Sequence, residues 1–159
     1  MKITVIGVGK IKEAYFRDAI GEYTKRLSRY CKLELCEVAD DKTPDGASVV
    51  MQDAILEREA GRILGRIPEG SYVIVLDIGG KKMDSVVFAR KIEQLGTAGK
   101  SHLTFVIGGS LGLHSTVKEK AALSVSFSDM TFPHQLMRVI LLEQIYRGYR
   151  IISGEPYHK

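Results

Sequence analysis

The sequence predicts an α/β fold in which a mostly parallel β-sheet carries helices on both faces. Short segments that are apolar on both faces of a strand, such as residues 72–78 and 103–107, alternate with longer segments whose apolar residues recur at helical spacing. Strands that are buried on both sides are typical of parallel sheets, because crossover helices cover both faces. The 159 residues are expected to form a single domain, residues 1–159.

The N-terminal elements alternate in this way. Residues 2–7 predict a short buried strand, and residues from about 13 to 30 place apolar side chains at helical spacing. Residues 33–38 alternate like a strand, whereas residues 39–47 (ADDKTPDGA) concentrate Asp, Pro and Gly and predict a loop. The spacing of apolar residues then predicts a helix over residues 49–67.

The C-terminal half continues the alternation. A nearly all-apolar strand over residues 72–78 is followed by an expected turn at residues 79–82 (GGKK). Asp84 or Ser85 is expected to cap a helix that ends near Leu95, and such a cap stabilises a helix by about 1 kcal/mol. The remaining predicted elements are strands over residues 103–107 and 123–127 and a final helix over residues 133–152.

Composition and charge narrow the class of protein. The net charge is +4, which permits an anionic partner such as RNA without requiring one. Cys31 and Cys36 are spaced unlike the pairs of zinc sites, and the four histidines are not clustered, so we expect no metal. No apolar run approaches the roughly 20 residues of a membrane span. The first residues resemble a strand rather than a signal peptide, which predicts a cytoplasmic protein.

Glycine-rich or serine-rich turns follow three predicted strands, at residues 76–80, 107–112 and 127–132. In parallel sheets, ligands bind outside the carboxyl ends of the strands. A P-loop requires Gly-Lys-Ser/Thr five residues after its first glycine, but Leu113 stands five residues after Gly108. These segments therefore form either tight turns alone or a site that reads a flat heterocycle, with Leu76 or Phe127 against its face.

The final helix carries a guanidinium on its apolar side. Arg138 lies opposite Glu143 and Arg147 at 100° per residue, among leucine and isoleucine side chains. A charge in that position cannot stay unpaired, which leaves two alternatives: Arg138 pairs with a carboxylate or extends to the surface, or it faces a site or a subunit interface where it meets an anion. Because the helix is apolar around most of its circumference, we also expect a homodimer.

The chain ends in groups that can contact RNA. Gly154 is expected to end the final helix, and three residues with distinct chemistry follow Pro156: Tyr157, His158 and Lys159. They offer a ring that can stack, an imidazole and an ammonium group. The alternative is an ordinary frayed terminus.

Four segments together carry a family resemblance: LDIGGK at residues 76–81, IGGSLGL at residues 107–113, SFSDMTFPHQLMRVILLEQIYRGYRI at residues 126–151, and the closing PYHK. They resemble the RlmH family, SPOUT-class methyltransferases that modify large-subunit ribosomal RNA. The resemblance covers the whole chain. In one departure, Leu111 stands just before the third glycine, where the family often has an acidic residue, and this puts any role of that acid in doubt here.

The resemblance implies a trefoil knot in the C-terminal part of the α/β sheet and S-adenosylmethionine as cofactor. It further implies methylation of N3 of a pseudouridine in 23S ribosomal RNA of the assembled ribosome, by a homodimer. The family's cofactor positions transfer to one set of residues here: Leu76, Gly108, Phe127, Ser128, Asp129, Met130, Thr131 and Phe132.

The implied chemistry requires alignment of donor and acceptor and removal of the N3 proton. His158 is the candidate base, and Arg138 and Lys159 are expected to stabilise the developing negative charge. Tyr157 is expected to stack on the splayed base. His134 is a rival base, but its place just after Pro133 favours capping or packing of the final helix.

Two other classes of function stay open from the residues alone. A non-catalytic RNA- or ribosome-binding module would keep the basic surface and need no enclosed cofactor pocket. A doubly wound nucleotide-dependent enzyme would bind a phosphate-bearing cofactor near Gly7 and Gly9. Titration with S-adenosylmethionine, S-adenosylhomocysteine, NAD and ATP separates the three classes.

Overall fold

The computed structural model describes all residues from 1 to 159 and contains one five-stranded sheet. Its strand order is β2-β1-β4-β3-β5, and all four neighbouring pairs are parallel. The strands are β1 (Lys2–Val8), β2 (Lys32–Val38), β3 (Tyr72–Lys82), β4 (His102–Ile107) and β5 (Leu123–Ser126). The helices are α1 (Ala14–Leu27), α2 (Val49–Leu64), α3 (Ser85–Thr97), α4 (Ser115–Lys120) and α5 (His134–Ile152). The predicted α/β class is thus confirmed.

Two apolar cores lie on opposite faces of the sheet. Because successive side chains of a strand point to opposite faces, Ile3 and Val5 of β1 face one core and Ile6 and Val8 face the other. The first core is completed by apolar residues of α1, α3 and α5, among them Leu27, Phe88, Ile92, Leu141 and Ile145. The second is completed by residues of α2 and α4, namely Ala60, Ile63 and Val117. Helices therefore cover both faces, as predicted.

The expected turn at residues 79–82 is wrong, because this segment belongs to β3. Val125 of β5 pairs with both Leu76 and Lys81, so the residues between them form a bulge. A Cβ atom at Gly80 would lie 2.7 Å from the backbone of Val125, which leaves room only for glycine. The glycine pair thus marks an irregular strand rather than a reversal of the chain.

Helix ends follow local chemistry. Asp84 caps α3 through a 2.7 Å hydrogen bond from the Val87 N–H, which confirms one of the two predicted caps. The first helix ends at Leu27 and the second at Leu64, three residues earlier than predicted in each case. The short α4 was not predicted, since six residues are too few for a periodic pattern. No helix is both long and apolar enough to cross a membrane.

Candidate active site

A cavity of about 770 Å³ lies at the carboxyl ends of β3, β4 and β5. Its size is within the range of about 300–1,000 Å³ that ligand pockets occupy. Most of the residues predicted to hold a cofactor line its wall: Leu76, Gly108, Phe127, Ser128, Met130, Thr131 and Phe132. Asp129 does not line it, because its side chain pairs with Lys82 in an exposed salt bridge. The structure therefore brings together three segments that are distant in sequence.

The core fixes the apolar part of the wall. Leu76 and Phe127 are half-buried and pack against the first core. The Phe127 ring meets Phe88 edge to face, with ring centroids 5.5 Å apart. Side chains packed in this way are rigid surfaces against which a flat ring can lie.

The glycine loop between β4 and α4 is closed on itself. Gly112 adopts a φ of 84° and donates a 3.1 Å hydrogen bond from its N–H to the Gly109 carbonyl oxygen. A Cβ atom at Gly108 would collide with the Gly112 carbonyl group. Gly108 is therefore required for the shape of the loop itself, and a bulky substitution there would distort the loop before it reached a ligand.

The loops around the cavity present free backbone donors. The N–H groups of Ser110, Leu111, Thr131 and Phe132 donate to no other group of the protein. Ser128 is used within its own turn, where its Oγ accepts a 3.0 Å hydrogen bond from the Met130 N–H. Free N–H groups beside an apolar wall suit a nucleoside-like ligand, because its ring edge carries acceptors.

Cations suited to phosphate are scarce in the cavity wall. The Lys118 ammonium lies 3.2 Å from the Asp77 carboxylate, and both residues line the cavity. Leu111, which replaces the family's acidic residue, also lines it. No group of three or more His, Cys, Asp or Glu is arranged to hold a metal ion, and both cysteines are free thiols.

Arg138 lies in a different place, at the end of β1. Its side chain is 7% exposed, and its Nη1 lies 2.9 Å from a Glu37 carboxylate oxygen. Its Nη2 donates to the carbonyl oxygens of Val8, at 2.8 Å, and Gly9, at 2.6 Å. A Cβ atom at Gly7 would lie 2.5 Å from Nε, so the guanidinium rests against that glycine. Of the two predicted alternatives for Arg138, the pairing with a carboxylate is present.

The surroundings of Arg138 form a second cavity of about 400 Å³ between α1, β2 and α5. Burial lowers the pKa of the guanidinium, and the hydrogen bond to Glu37 opposes this shift. The group stays charged at neutral pH, since the ordinary pKa of arginine is above 12. A buried charge held by one carboxylate and two carbonyl groups has a structural role whether or not it also acts in catalysis.

The predicted helix end at Gly154 is confirmed. Gly154 has a φ of 65°, and its N–H donates to the Ile151 carbonyl oxygen while the Glu155 N–H donates to that of Arg150. These two bonds form a Schellman motif, which turns the chain back along the helix. The Glu155 carboxylate then pairs with Arg150 and accepts a 2.8 Å hydrogen bond from the Tyr30 hydroxyl group.

Tyr157 and His158 lie against the second half of α5. Tyr157 packs edge to face on Tyr146, beneath the Arg147 guanidinium, and its hydroxyl group donates to Glu143 over 3.2 Å. Burial and the Glu143 carboxylate raise the pKa of Tyr157 to about 12. His158 and Lys159 are exposed, and Nη1 of Arg147 lies 3.3 Å from Nδ1 of His158.

Within one chain, the tail does not meet the cavity. His134 and Met137, at the start of α5, line the cavity, whereas the tail contacts Glu143 and Arg147. Thirteen residues separate His134 from Arg147, which corresponds to about 20 Å along a helix. The residues predicted to hold the cofactor are thus separate from the tail, and Arg138, the remaining residue predicted to act on the substrate, lies apart from both.

The role expected of His134 from the sequence differs from its place in the structure. It is the first residue of α5, but Pro133 occupies the N-cap position and no side chain caps this helix. The capping role considered for His134 is therefore wrong, and its ring lines the cavity instead. Burial and the nearby Arg138 lower the pKa of His134, while Asp40 and Glu13 oppose that shift.

A family model and full-length relatives place the chain in the same family. Residues 1–158 match the family model described as a predicted SPOUT methyltransferase. Proteins called ribosomal RNA large subunit methyltransferase H from Clostridium tetani, Clostridium beijerinckii and Acetivibrio thermocellus are 57%, 56% and 55% identical to this chain. In each case the alignment spans 159 residues and the full length of both chains.

Solved structures support the fold at much lower identity. A probable methylase family protein from Haemophilus influenzae has a TM-score of 0.56 at 12% identity, over 99% of this chain and 70% of that one. The tRNA (m1G37) methyltransferase from Aquifex aeolicus has a TM-score of 0.52 at 11% identity, over 92% and 70%. With the full-length relatives, these findings show that the chain belongs to the SPOUT methyltransferases and, among them, to the RlmH family.

Proposed function

We propose that the protein is an S-adenosylmethionine-dependent methyltransferase acting on N3 of a pseudouridine in 23S ribosomal RNA of the assembled ribosome. One observation carries the proposal: the segments that match the family's cofactor positions converge on a single cavity at the carboxyl ends of β3, β4 and β5. The names of the full-length relatives support large-subunit ribosomal RNA as the substrate.

The cavity wall fits the proposed cofactor. Leu76 and Phe127 offer rigid apolar surfaces for a purine ring, and the free N–H groups of Ser110, Leu111 and Thr131 offer donors for its edge and for ribose oxygens. The cofactor has no phosphate, which agrees with the lack of a P-loop lysine. When bound, S-adenosylmethionine supplies a methyl group that is already activated by a sulfonium centre.

The protein's own task is to align the acceptor and to manage a proton. We propose that Tyr157 stacks on the target base, and that His158 and Lys159 contact oxygens of the RNA. We assign Arg138 the stabilisation of negative charge near the acceptor, in addition to its structural pairing with Glu37. These substrate-side groups complement the cofactor-side residues of the cavity.

The separation of tail and cavity within one chain supports a homodimer. No residue of α5 is fully exposed, yet Leu136, Val139 and Ile140 are only half-buried in the single chain. We propose that a second copy covers these side chains and that the tail of one subunit lies beside the cofactor of the other. A monomer with full activity at micromolar concentration in the analytical ultracentrifuge would contradict this arrangement.

Two further properties follow from family membership. We propose that the C-terminal part of the chain, which supplies the loops after β4 and β5, is tied in the trefoil knot of the family. We propose that the protein acts in the cytoplasm, where it meets assembled ribosomes.

Isothermal titration calorimetry tests the cofactor, and a methylation assay tests the reaction. S-adenosylmethionine and S-adenosylhomocysteine should bind, while NAD and ATP should not. Ribosomes that lack the modification should gain one methyl group from the labelled cofactor, and mass spectrometry of the digested RNA should identify it as N3-methylpseudouridine. Binding of ribosomes without cofactor binding would instead indicate a non-catalytic ribosome-binding module.

A further inference from the structure

His134 lines the cavity, and neither nitrogen of its imidazole has a protein partner. Its Nδ1 is buried and unpaired, its Nε2 makes no hydrogen bond within the protein, and its Cε1 lies 3.3 Å from the position of a Cβ atom at Gly9. A buried unpaired polar atom in a native structure calls for an explanation, and catalysis is one. The Glu13 carboxylate, just before α1, also has a buried oxygen without a partner.

The charged groups around His134 come from three parts of the chain. Arg138 lies one turn further along α5, Asp40 follows β2, and Glu13 precedes α1. Together, burial and Arg138 outweigh the two carboxylates, so the pKa of His134 lies below its ordinary value. At neutral pH the ring is therefore uncharged and carries a free lone pair, which a general base requires.

The other candidate base, His158, lies in the tail beside Arg147. A guanidinium can only donate, so the contact between Arg147 and His158 requires Nδ1 of His158 to be the acceptor. In the neutral ring the proton then resides on Nε2, and the outward-facing nitrogen is a hydrogen-bond donor. This arrangement suits His158 for contacting an RNA oxygen rather than for taking a proton.

We propose that His134 accepts the proton of the reacting ring nitrogen and that the Glu13 carboxylate stabilises, through its charge, the imidazolium that forms. This inference rests on the proposed methyl transfer. The N3–H bond breaks and its proton goes to Nε2 of His134, while the N3 electron pair forms the bond to the methyl carbon. The carbon–sulfur bond breaks, its electron pair stays on sulfur, and the imidazolium later releases the proton to solvent.

The test compares His134→Asn with the matched variant His158→Asn in single-turnover methylation of unmodified ribosomes. General base catalysis is commonly worth about 10²–10⁴-fold in rate. We expect His134→Asn to lose at least about 100-fold at pH 7 while its affinity for S-adenosylhomocysteine stays close to wild type. His158→Asn should instead raise the ribosome concentration needed for half-maximal rate.

The pH dependence of the methylation rate and its rescue by added imidazole distinguish a general base from a residue with a purely structural role. The wild-type rate should rise with pH and level off below pH 7, whereas the rate of His134→Asn should keep rising across the range because hydroxide must act instead. Added imidazole should partly restore His134→Ala and should not restore His158→Ala. Glu13→Gln removes a negative charge that raises the pKa of His134, so it should move the wild-type midpoint to lower pH.

The outcomes separate the inference from the function on which it rests. If wild-type protein methylates no ribosomal RNA, the proposed function fails and no variant is needed. If wild-type protein is active and His134→Asn keeps its rate and its levelling profile, then His134 is not the base. Loss of S-adenosylhomocysteine binding in both His134→Asn and His134→Ala would make His134 part of the cofactor site, and would also overturn the inference.

Discussion

The two ends of α5 differ in where their unpaired buried polar atoms lie. Both ends have such atoms: those of Glu13, His134 and Arg138 at the N-terminal end, and those of Tyr149 and Arg150 at the C-terminal end. His134 lines the cavity, whereas Tyr149 stacks on Tyr30 and Arg150 pairs with Glu155. Buried polar groups are nearly always paired in folded proteins, so an unpaired one in a cavity wall is a candidate for contact with a ligand. The comparison teaches that the cavity end offers an unpaired group to a ligand, whereas the tail end uses Glu143 and Arg147 to hold Tyr157 and His158.

The largest effect is expected from deleting Tyr157, His158 and Lys159. Within one chain the tail contacts Glu143 and Arg147 and none of the cavity residues, and its proposed contacts are with the RNA, so its loss should leave cofactor affinity nearly unchanged. We expect methylation of ribosomes to become undetectable, with an affinity for S-adenosylhomocysteine within about threefold of wild type, which is less than 1 kcal/mol. Calorimetry and a single-turnover assay measure the two quantities. Methylation at the wild-type rate would show that the tail is an ordinary terminus.

The second prediction concerns Arg138, near the N-terminal end of α5. Arg138→Ala leaves the buried carbonyl groups of Val8 and Gly9 without their donor, and an unpaired buried group costs about 1–3 kcal/mol, whereas the exposed Glu37 carboxylate regains water. Urea denaturation should show this loss, whereas Arg26→Ala, which breaks an exposed pair with Glu22, should leave the free energy of unfolding nearly unchanged. A loss below 1 kcal/mol in Arg138→Ala would contradict the structural role.

The variant Arg138→Lys distinguishes a structural role of Arg138 from a catalytic one. Lysine keeps the charge but lacks the planar fork that reaches Glu37 and the carbonyl oxygens together. A folded Arg138→Lys protein that binds cofactor but methylates poorly would support the catalytic assignment. Normal methylation in that variant would leave Arg138 with its structural role alone.

The third prediction sharpens the role of Tyr157. Tyr157→Phe keeps the ring beneath Arg147 and loses one half-exposed hydrogen bond to Glu143, worth about 0.5–1.5 kcal/mol. Its effect on methylation should be mild. Tyr157→Ala removes the stacking surface, and aromatic stacking on a base is worth about 1–3 kcal/mol. The half-saturating ribosome concentration should rise by the factor that this free energy corresponds to. Equal effects of the two substitutions would argue against stacking.

The sequence could predict the sheet and the cavity because both depend on local pattern. Apolar runs locate the strands, and the rule that ligands bind at the carboxyl ends of parallel strands places three loops at one edge. The bulge in β3 was missed because Gly79 and Gly80 are equally typical of a turn. Pairing across the sheet, which makes the bulge necessary, depends on Val125 and is not a local property.

The partners of charged residues could not be predicted for the same reason. Arg138 and Glu37 are 101 positions apart, and nothing near either residue specifies the other. The position of Tyr157 on α5 depends on the Schellman turn just before it and on Glu143, fourteen residues earlier. For His134, the sequence indicated a helix start but not that Pro133 already occupies the cap, which leaves the imidazole free to line the cavity.

The smallest effect is expected from Glu59, a buried acid of α2 beneath the cavity loop. Its side chain accepts a 3.1 Å hydrogen bond from the Asp41 N–H, and its other oxygen lies 3.6 Å from the position of a Cβ atom at Gly109. Burial raises the pKa of Glu59, the hydrogen bond from the Asp41 N–H opposes this shift, and the charges of Asp41 and Asp40 add to it. A raised pKa in the folded state stabilises the protein at low pH, and that contribution is lost as the pH rises above the ordinary value of about 4.3.

Glu59→Gln should therefore stabilise the protein at pH 7, by about 1 kcal/mol, and should lose this advantage near pH 4. Glu57→Gln is the matched control, because Glu57 is exposed on the same helix and its substitution should be neutral at both pH values. Urea denaturation at the two pH values measures the difference. A destabilised Glu59→Gln protein at pH 7 would mean that the hydrogen bond from the Asp41 N–H stabilises the charged carboxylate by more than burial destabilises it.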